Sequence, residues 1–341
     1  MEKFLFIMAM AAVMCSCSKE TEATIAGELM ESVLYVNLSA PDGTRAMGNG
    51  HGIQREDNNI QTLEVFVFRI NEGGPDDGAL DGYRKFTAAE LGDLTNLEVH
   101  TTTGNKMIYA VANSHRANWK GINTRALFEQ QTAMLADENL KSFIMAGGTQ
   151  AQLQIASTVS FTIKRLVARV QVNSIRTAFK DGPYEGMKLK NVKAYLLHAQ
   201  AEKLIFDGSG DNLKVYNRGE AMPEDSDACM MEGMIYDDFG TDISDAGYVD
   251  PHYFYCFENG FEEETEENKF TRIVIEGELD GTVYYYPVKL DEVKRNCCYS
   301  IDVTVKRPGS TRPDSDVEKG TLSATVSVKD WEPLSESTVE F

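Results

Sequence analysis

From Val33 to Val328 the chain is a succession of short segments rich in β-branched and aromatic residues, each cut off by Gly, Pro, Asn or Asp. Runs of this length with a period near two build sheets, because successive side chains point to opposite faces of a strand. Ser32-Val33-Leu34-Tyr35-Val36-Asn37-Leu38 stops at Ala40-Pro41-Asp42-Gly43, a turn signal. In Ile60 to Ile70, Leu63, Val65 and Val67 alternate with Glu64, Phe66 and Phe68, so a strand here is covered on both faces. Lys106 to Ala112 reads the same way. Val159 to Ile163, Leu166 to Val172, Met187 to Leu197, Lys203 to Phe206, Tyr253 to Phe257, Arg272 to Leu279, Val283 to Leu290 and Tyr299 to Val305 continue the series. Helical signals are few. Thr87-Ala88-Ala89-Glu90 has capping-box spacing, and Leu127, Phe128, Met134, Leu135 and Leu140 predict one helix between Thr124 and Phe143. The expected fold class is mainly β: two antiparallel β-sandwich domains with a few short helices.

The N-terminus sets the compartment. A short basic start, an apolar run from Phe4 to Met14 and the small Ser16 before Cys17 have the layout of a secretory signal, and the run is too short to span a bilayer. A cysteine directly after such a core resembles a bacterial lipoprotein signal, which makes Cys17 the expected lipidation site and new N-terminus. Ser18 to Met30 is polar and acidic and reads as a tether.

Charge and chemistry exclude more than they assign. There are 33 basic against 53 acidic residues, a formal charge of −20, spread along the chain. Nucleic acid and anionic membrane surfaces are repelled by such a surface. HExxH, paired CxxC, Walker and GxSxG patterns are missing, and the five histidines (His51, His100, His115, His198 and His252) are not at ligand spacing. No catalytic residue, no metal site and no cofactor is predicted. Asp237-Asp238-Phe239-Gly240-Thr241-Asp242 offers oxygen ligands without EF-hand spacing or its terminal Glu, and a solvated acidic loop over Pro223 to Asp250 is the favoured reading. Of the six cysteines, Cys297 and Cys298 are adjacent and would point to opposite faces of a strand; a Cys229 to Cys256 bridge is left open.

The two ends of the chain are alike. Leu322, Ala324, Val326 and Val328 alternate strictly with small polar residues in Gly320 to Lys329, which follows a Pro- and Gly-containing linker from Pro308 to Asp314. Val33 to Leu38 has comparable length and apolarity and precedes Thr44-Arg45-Ala46-Met47 and the glycines at 48, 50 and 52, an expected site of proteolysis. One strand is built to replace the other.

Several motifs, in this order, resemble the fimbrillin family, the type V pilins of Bacteroidales-type bacteria. They are Thr44-Arg45-Ala46 ahead of Leu63-Glu64-Val65-Phe66-Val67-Phe68, then Ile108-Tyr109-Ala110-Val111-Ala112-Asn113, Ile144-Met145-Ala146-Gly147 and Arg165-Leu166-Val167-Ala168-Arg169-Val170. Tyr285-Tyr286-Pro287-Val288, Arg295-Asn296-Cys297-Cys298-Tyr299 and Val328-Lys329-Asp330-Trp331 complete the set. The resemblance implies two transthyretin-like sandwiches and a structural subunit of a cell-surface fimbria that supports adhesion. It further implies a precursor delivered to the outer membrane through a lipid, here a palmitoyl-bearing Cys17. An arginine-specific protease would cut between Arg45 and Ala46, with Arg55 as second choice. The strand carrying Val33, Leu34, Tyr35, Val36 and Leu38 would be removed. The groove would then be filled by Leu322, Ala324, Val326 and Val328 of another pilin subunit, giving a head-to-tail polymer. The expected segments are 1–17 for the signal and lipidated Cys, 18–45 for the propeptide, 46–155 and 156–341 for the two domains, with the donor strand at about 320–341. The alternative is a monomeric outer-membrane lipoprotein that binds glycan or protein through its loops.

Overall fold

The computed structural model describes residues 29–40, 59–206, 214–216, 227–231, 235–266, 268–318 and 320–331. Cys17, Arg45, Ala46, Arg55 and the segment beyond Trp331 lie outside the described residues. The N-terminal elements are β1 (Glu31–Ser39), β2 (Thr62–Arg69), β3 (Leu80–Thr87), α1 (Ala88–Leu91), β4 (Leu97–Thr102), β5 (Gly104–Ala112), α2 (Arg125–Glu129), β6 (Thr132–Met134), β7 (Met145–Leu153), β8 (Ala156–Thr162) and β9 (Lys164–Arg165). There follow β10 (Val167–Thr177), β11 (Lys190–Leu197), β12 (Ala199–Leu204), β13 (Lys214–Tyr216), β14 (Asp237–Asp238), β15 (His252–Phe257), β16 (Thr271–Leu279), β17 (Thr282–Leu290), β18 (Cys297–Val305) and β19 (Leu322–Asp330). The molecule is mainly β, as its periodicity predicts.

Four sheets make two layered units. The N-terminal unit has a sheet in the order β4-β1-β8 and another in the order β3-β2-β5-β7-β9. The second unit has a sheet of seven, β13-β12-β15-β10-β18-β19 with β6 joined to β12, and one of four, β14-β11-β16-β17. The ladders are antiparallel except that β1 pairs with β8, and β10 with β18, in parallel. Two of the four sheets are therefore mixed, because β8 and β18 come in from across the sandwich and not from a hairpin, while the other two are antiparallel as expected.

β2 divides two cores, which is why both of its faces are apolar. Leu63, Val65 and Val67 join Leu34, Val36, Leu38, Leu97, Val99, Ile108 and Ala110 between the two N-terminal sheets. Phe66 and Phe68 face the other way, into a cluster that runs through Phe128, Trp119, Phe143 and Tyr255 to the interior of the C-terminal unit. The Phe66 and Phe128 ring centres are 4.3 Å apart. One continuous apolar cluster thus ties the units together. Arg295, half-buried between them, donates to the carbonyls of Ala146 and Lys164 at 3.2 and 3.0 Å and to those of Arg165 and Ile205 at 3.3 Å.

Two local readings are corrected. The helix expected between Thr124 and Phe143 is confined to α2, capped by the Thr124 hydroxyl accepting from Leu127 N. Beyond it Thr132–Met134 pairs with β12 and Leu135–Asp137 forms a 3₁₀ turn, so tertiary pairing overrides helical spacing. In the acidic stretch up to Asp250, Asp238, Asp242, Asp245 and Asp250 are exposed as expected, but apolar residues between them tie the segment down where it is described. β14 pairs with β11, Ile243 and Leu189 exchange backbone hydrogen bonds, and Phe239 and Ile243 are buried. Asp237 Oδ2 lies 2.5 Å from His252 Nδ1, which engages one of the acidic oxygens with the protein's own cation-capable side chain. Cys256, Cys297 and Cys298 are free thiols, so Cys256 is in no bridge with Cys229.

Candidate functional site

β1 is the middle strand of its sheet although it is separated in sequence from everything it touches. Glu31 to Val36 pair antiparallel with Thr102 to Leu97, and Val33 to Ser39 pair in parallel with Ala156 to Thr162. Alternation sends Ser32, Leu34, Val36 and Leu38 inward, where Leu34 and Val36 are wholly buried, and leaves Val33 and Tyr35 half-buried on the outer face. Polar groups fix its register. Ser32 Oγ donates to the Gln154 carbonyl at 2.5 Å, Asn37 Oδ1 accepts from Asn96 N at 2.8 Å, and the Ser39 and Thr162 hydroxyls are 2.7 Å apart.

Taking β1 away leaves a slot with one wall on each side. β4 and β8 find their ladder partners in β1 alone among the described strands, so both walls would present unpaired backbone groups. The floor of the slot is the inner face of β2 and β5. The aromatic cluster on the other side of β2 is untouched by the loss.

The slot's walls lean on the second sheet at its two corners. Asp81, on β3, accepts at Oδ2 from Thr101 Oγ1 (2.6 Å), Thr102 N (2.9 Å) and Thr102 Oγ1 (2.8 Å), and lies 2.9 Å from Lys106 Nζ. Its Oδ1 accepts from Arg69 Nε at 2.7 Å. Burial opposes ionisation of Asp81, but the bonds from Thr101, Lys106 and Thr102 outweigh it and hold the carboxyl far below the usual carboxylate range. Arg84 Nη1 donates to the Glu98 carbonyl at 2.8 Å. Two glycines allow the close approach. A Cβ on Gly82 would stand 2.7 Å from the His100 carbonyl oxygen, and one on Gly147 would stand 2.2 Å from that of Thr162.

The C-terminal strand lies at the opposite extreme of burial. β19 pairs along its whole length with β18, Leu322 against Val305 through Asp330 against Cys297, and forms the edge of the seven-stranded sheet. Leu322 is half-buried and Ala324, Val326 and Val328 are exposed, Val328 at 53%. Such an edge strand leaves its outer backbone groups and several apolar side chains uncovered. Trp331, which follows it, is buried. Sequence reasoning found β1 and β19 but missed β4, although Leu97, Val99 and Thr101 alternate with Glu98, His100 and Thr102.

Comparison with known proteins agrees with this architecture. Residues 32–182 match the model of a family described as major fimbrial subunit protein (FimA). The major fimbrium subunit FimA type-2 of Porphyromonas gingivalis is 21% identical over 96% of this chain and 97% of its own length. Among solved structures, a fimbrilin from Porphyromonas gingivalis W83 superposes with a TM-score of 0.64 at 16% identity, covering 89% of this chain and 99% of that one. The tip fimbrial protein Mfa3 of Porphyromonas gingivalis, with a C-terminal truncation, gives 0.54 at 15% identity over 89% and 100%. The chain is thus similar to a major fimbrial subunit family over residues 32–182 and shares the fold of a solved fimbrilin, in keeping with the resemblance carried by its motifs.

Proposed function

We propose that this chain is a polymerising subunit of the fimbrial stalk, assembled by protease-triggered strand exchange. The observation that supports the reading most is the pairing of opposites at the two termini. β1 fills a slot with Leu34, Val36 and Leu38, while β19 carries the half-buried Leu322 and displays Ala324, Val326 and Val328 uncovered at the same two-residue spacing. Cleavage between Arg45 and Ala46 would cut the link between β1 and the body. Loss of β1 exposes apolar side chains and unpaired backbone together, and an incoming strand repairs both. Burying the exposed Ala324, Val326 and Val328 contributes roughly 4 to 7 kcal/mol before ordering costs. Because donor and slot lie on different parts of the molecule, the exchange does not close on itself and propagates as a filament.

In this reading Cys17 carries a lipid that holds the precursor at the outer membrane, and the cut that removes β1 removes the lipid with it. The propeptide is 18–45, and in place of a division at 155/156 we propose one between Thr162 and Val167, supported by the pairing of β8 with β1. Digestion of the purified precursor with an arginine-specific protease tests the scheme. A ladder of oligomers is expected, and Arg45→Ala blocks it. A trimmed protein that stays monomeric would reject strand exchange.

A further inference from the structure

A slot that waits empty for a partner must keep its shape, and the structure has a device for this that does not involve β1. β4 is the vulnerable wall. Its backbone ladder is with β1 alone, so it loses every strand partner when β1 goes. Among the described residues, the side-chain bonds that tie it to another strand, by contrast, go to β3 and β5 and survive. Asp81 holds Thr101 and Thr102 at the end of the strand, and Arg84 holds the Glu98 carbonyl near its start. Lys106, buried on β5, donates to Thr102 Oγ1 at 2.9 Å and neutralises Asp81 at the same point. Gly82 lets the β3 backbone approach β4 closely enough for both residues to reach. The grip is thus two-point, with the Glu98 and Thr101–Thr102 contacts opposite Tyr35 and Ser32–Glu31 of β1.

We infer that Asp81 and Arg84 of β3 are positioning residues that keep β4 in place as the wall of an unoccupied slot, and so preorganise the emptied subunit for strand uptake. This rests on the strand-exchange reading for its biological meaning, but the physical claim concerns the slot alone. A strand binds only molecules whose walls are correctly placed, so its apparent association rate scales with the fraction of emptied subunits in that state. With β1 in place the ladder itself holds β4, and loss of the corner bonds is masked. The grip therefore matters in the emptied form and little in the precursor.

The test uses the full chain with a specific protease site placed within 46–58, cut, and emptied by competition with excess unlabelled β1 peptide followed by its removal. Two fluorescent peptides report uptake: residues 30–40, which refill the slot, and residues 321–331, the C-terminal strand. Arg84→Met removes one point of the grip and Thr101→Val weakens the other, without leaving Lys106 unpaired as replacement of Asp81 would. The uncut variants are expected to melt within a few degrees of the parent, while the emptied Arg84→Met, Thr101→Val protein takes up both peptides about tenfold more slowly, the fall expected if the competent fraction drops tenfold. Arg84→Lys, which restores a donor, should recover part of the rate. Unchanged association rates in the double variant overturn the inference, as does a parent protein that, once emptied, refills with neither peptide. A parent that takes the 30–40 peptide but refuses the 321–331 peptide rejects strand exchange and still measures the grip through the first peptide.

Discussion

The guanidinium carbon of Arg165 sits 4.4 Å from the centre of the Trp331 ring, joining the last strand of an N-terminal sheet to the residue that ends the C-terminal strand. Arg169 lies over the same ring at 4.8 Å, and Phe143 and Tyr255 pack around it at 5.7 and 5.8 Å. Trp331 N donates to the Asn296 carbonyl at 2.8 Å. The exposed β19 is therefore fastened at its far end by a buried aromatic anchor.

Replacing that anchor should be costly. Trp331→Ala is expected to lower the stability of the precursor by about 3 to 5 kcal/mol, through the lost burial and the cavity left beside two cations. Chemical denaturation measures the loss, and hydrogen exchange should show the amides of β19 deprotected ahead of the rest of the seven-stranded sheet.

The two terminal strands should respond oppositely to substitution. Leu34→Ala removes a wholly buried side chain and is expected to cost about 2 to 5 kcal/mol in the precursor. After cleavage it should speed the departure of β1 and the onset of polymerisation, followed by light scattering. Val326→Asp, on the exposed row, is expected to change precursor stability by less than about 1 kcal/mol and yet abolish polymerisation.

Glu138 gives the fold a basic limb in its pH profile. Its carboxyl is buried, with Oε2 accepting from Ile144 N at 2.9 Å, and burial pushes it up to about 8. The unfolded carboxyl loses its proton first as pH rises, so the contribution is complete below about pH 4.5 and is lost between about 4.5 and 8. Glu138→Gln keeps an acceptor for Ile144 N and is expected to raise the melting temperature at pH 8 while changing it little at pH 5. Equal shifts at the two pH values would contradict this.

His198 gives an acid limb of the opposite sense. Burial, with the charges of Arg272 and Lys269, pushes it down to about 4 from an ordinary 6.5. The unfolded chain takes up this proton before the folded one does, so stability is full above about pH 6.5 and falls as pH drops towards 4. His198 has a φ of 55° at the turn between β11 and β12, a value that asparagine tolerates. In His198→Asn that decline should flatten, as read by urea denaturation at pH 7 and pH 4.5.

What the sequence disclosed depended on local pattern. β2 was legible because Phe66 and Phe68 share a strand with Leu63, Val65 and Val67, and β19 because its alternation is unbroken. β3 was not. Its Asp81, Gly82, Arg84 and Lys85 look like a solvated segment, and their purpose appears only once β4 is folded against them. The same holds for α2, whose helical spacing continues past Glu129 while the backbone turns to meet Glu202 and Leu204 on β12. Periodicity reports the neighbours along a strand or helix; it carries no information about which distant edge will compete for the backbone.

If β1 is exchanged for a neighbour's strand, its place between one antiparallel and one parallel neighbour bears on filament polarity. A strand entering in the reverse sense would run parallel to β4 and antiparallel to β8, and would meet the same mixture of ladders. Hydrogen bonding along the slot is therefore nearly indifferent to direction. The choice falls to side chains such as those that meet Gln154 and Asn96, and to the tether leading out of Lys306, whose amide is bonded to the Thr321 carbonyl. Direction in such a fibre would be dictated by its connectors, not by the backbone of its joints.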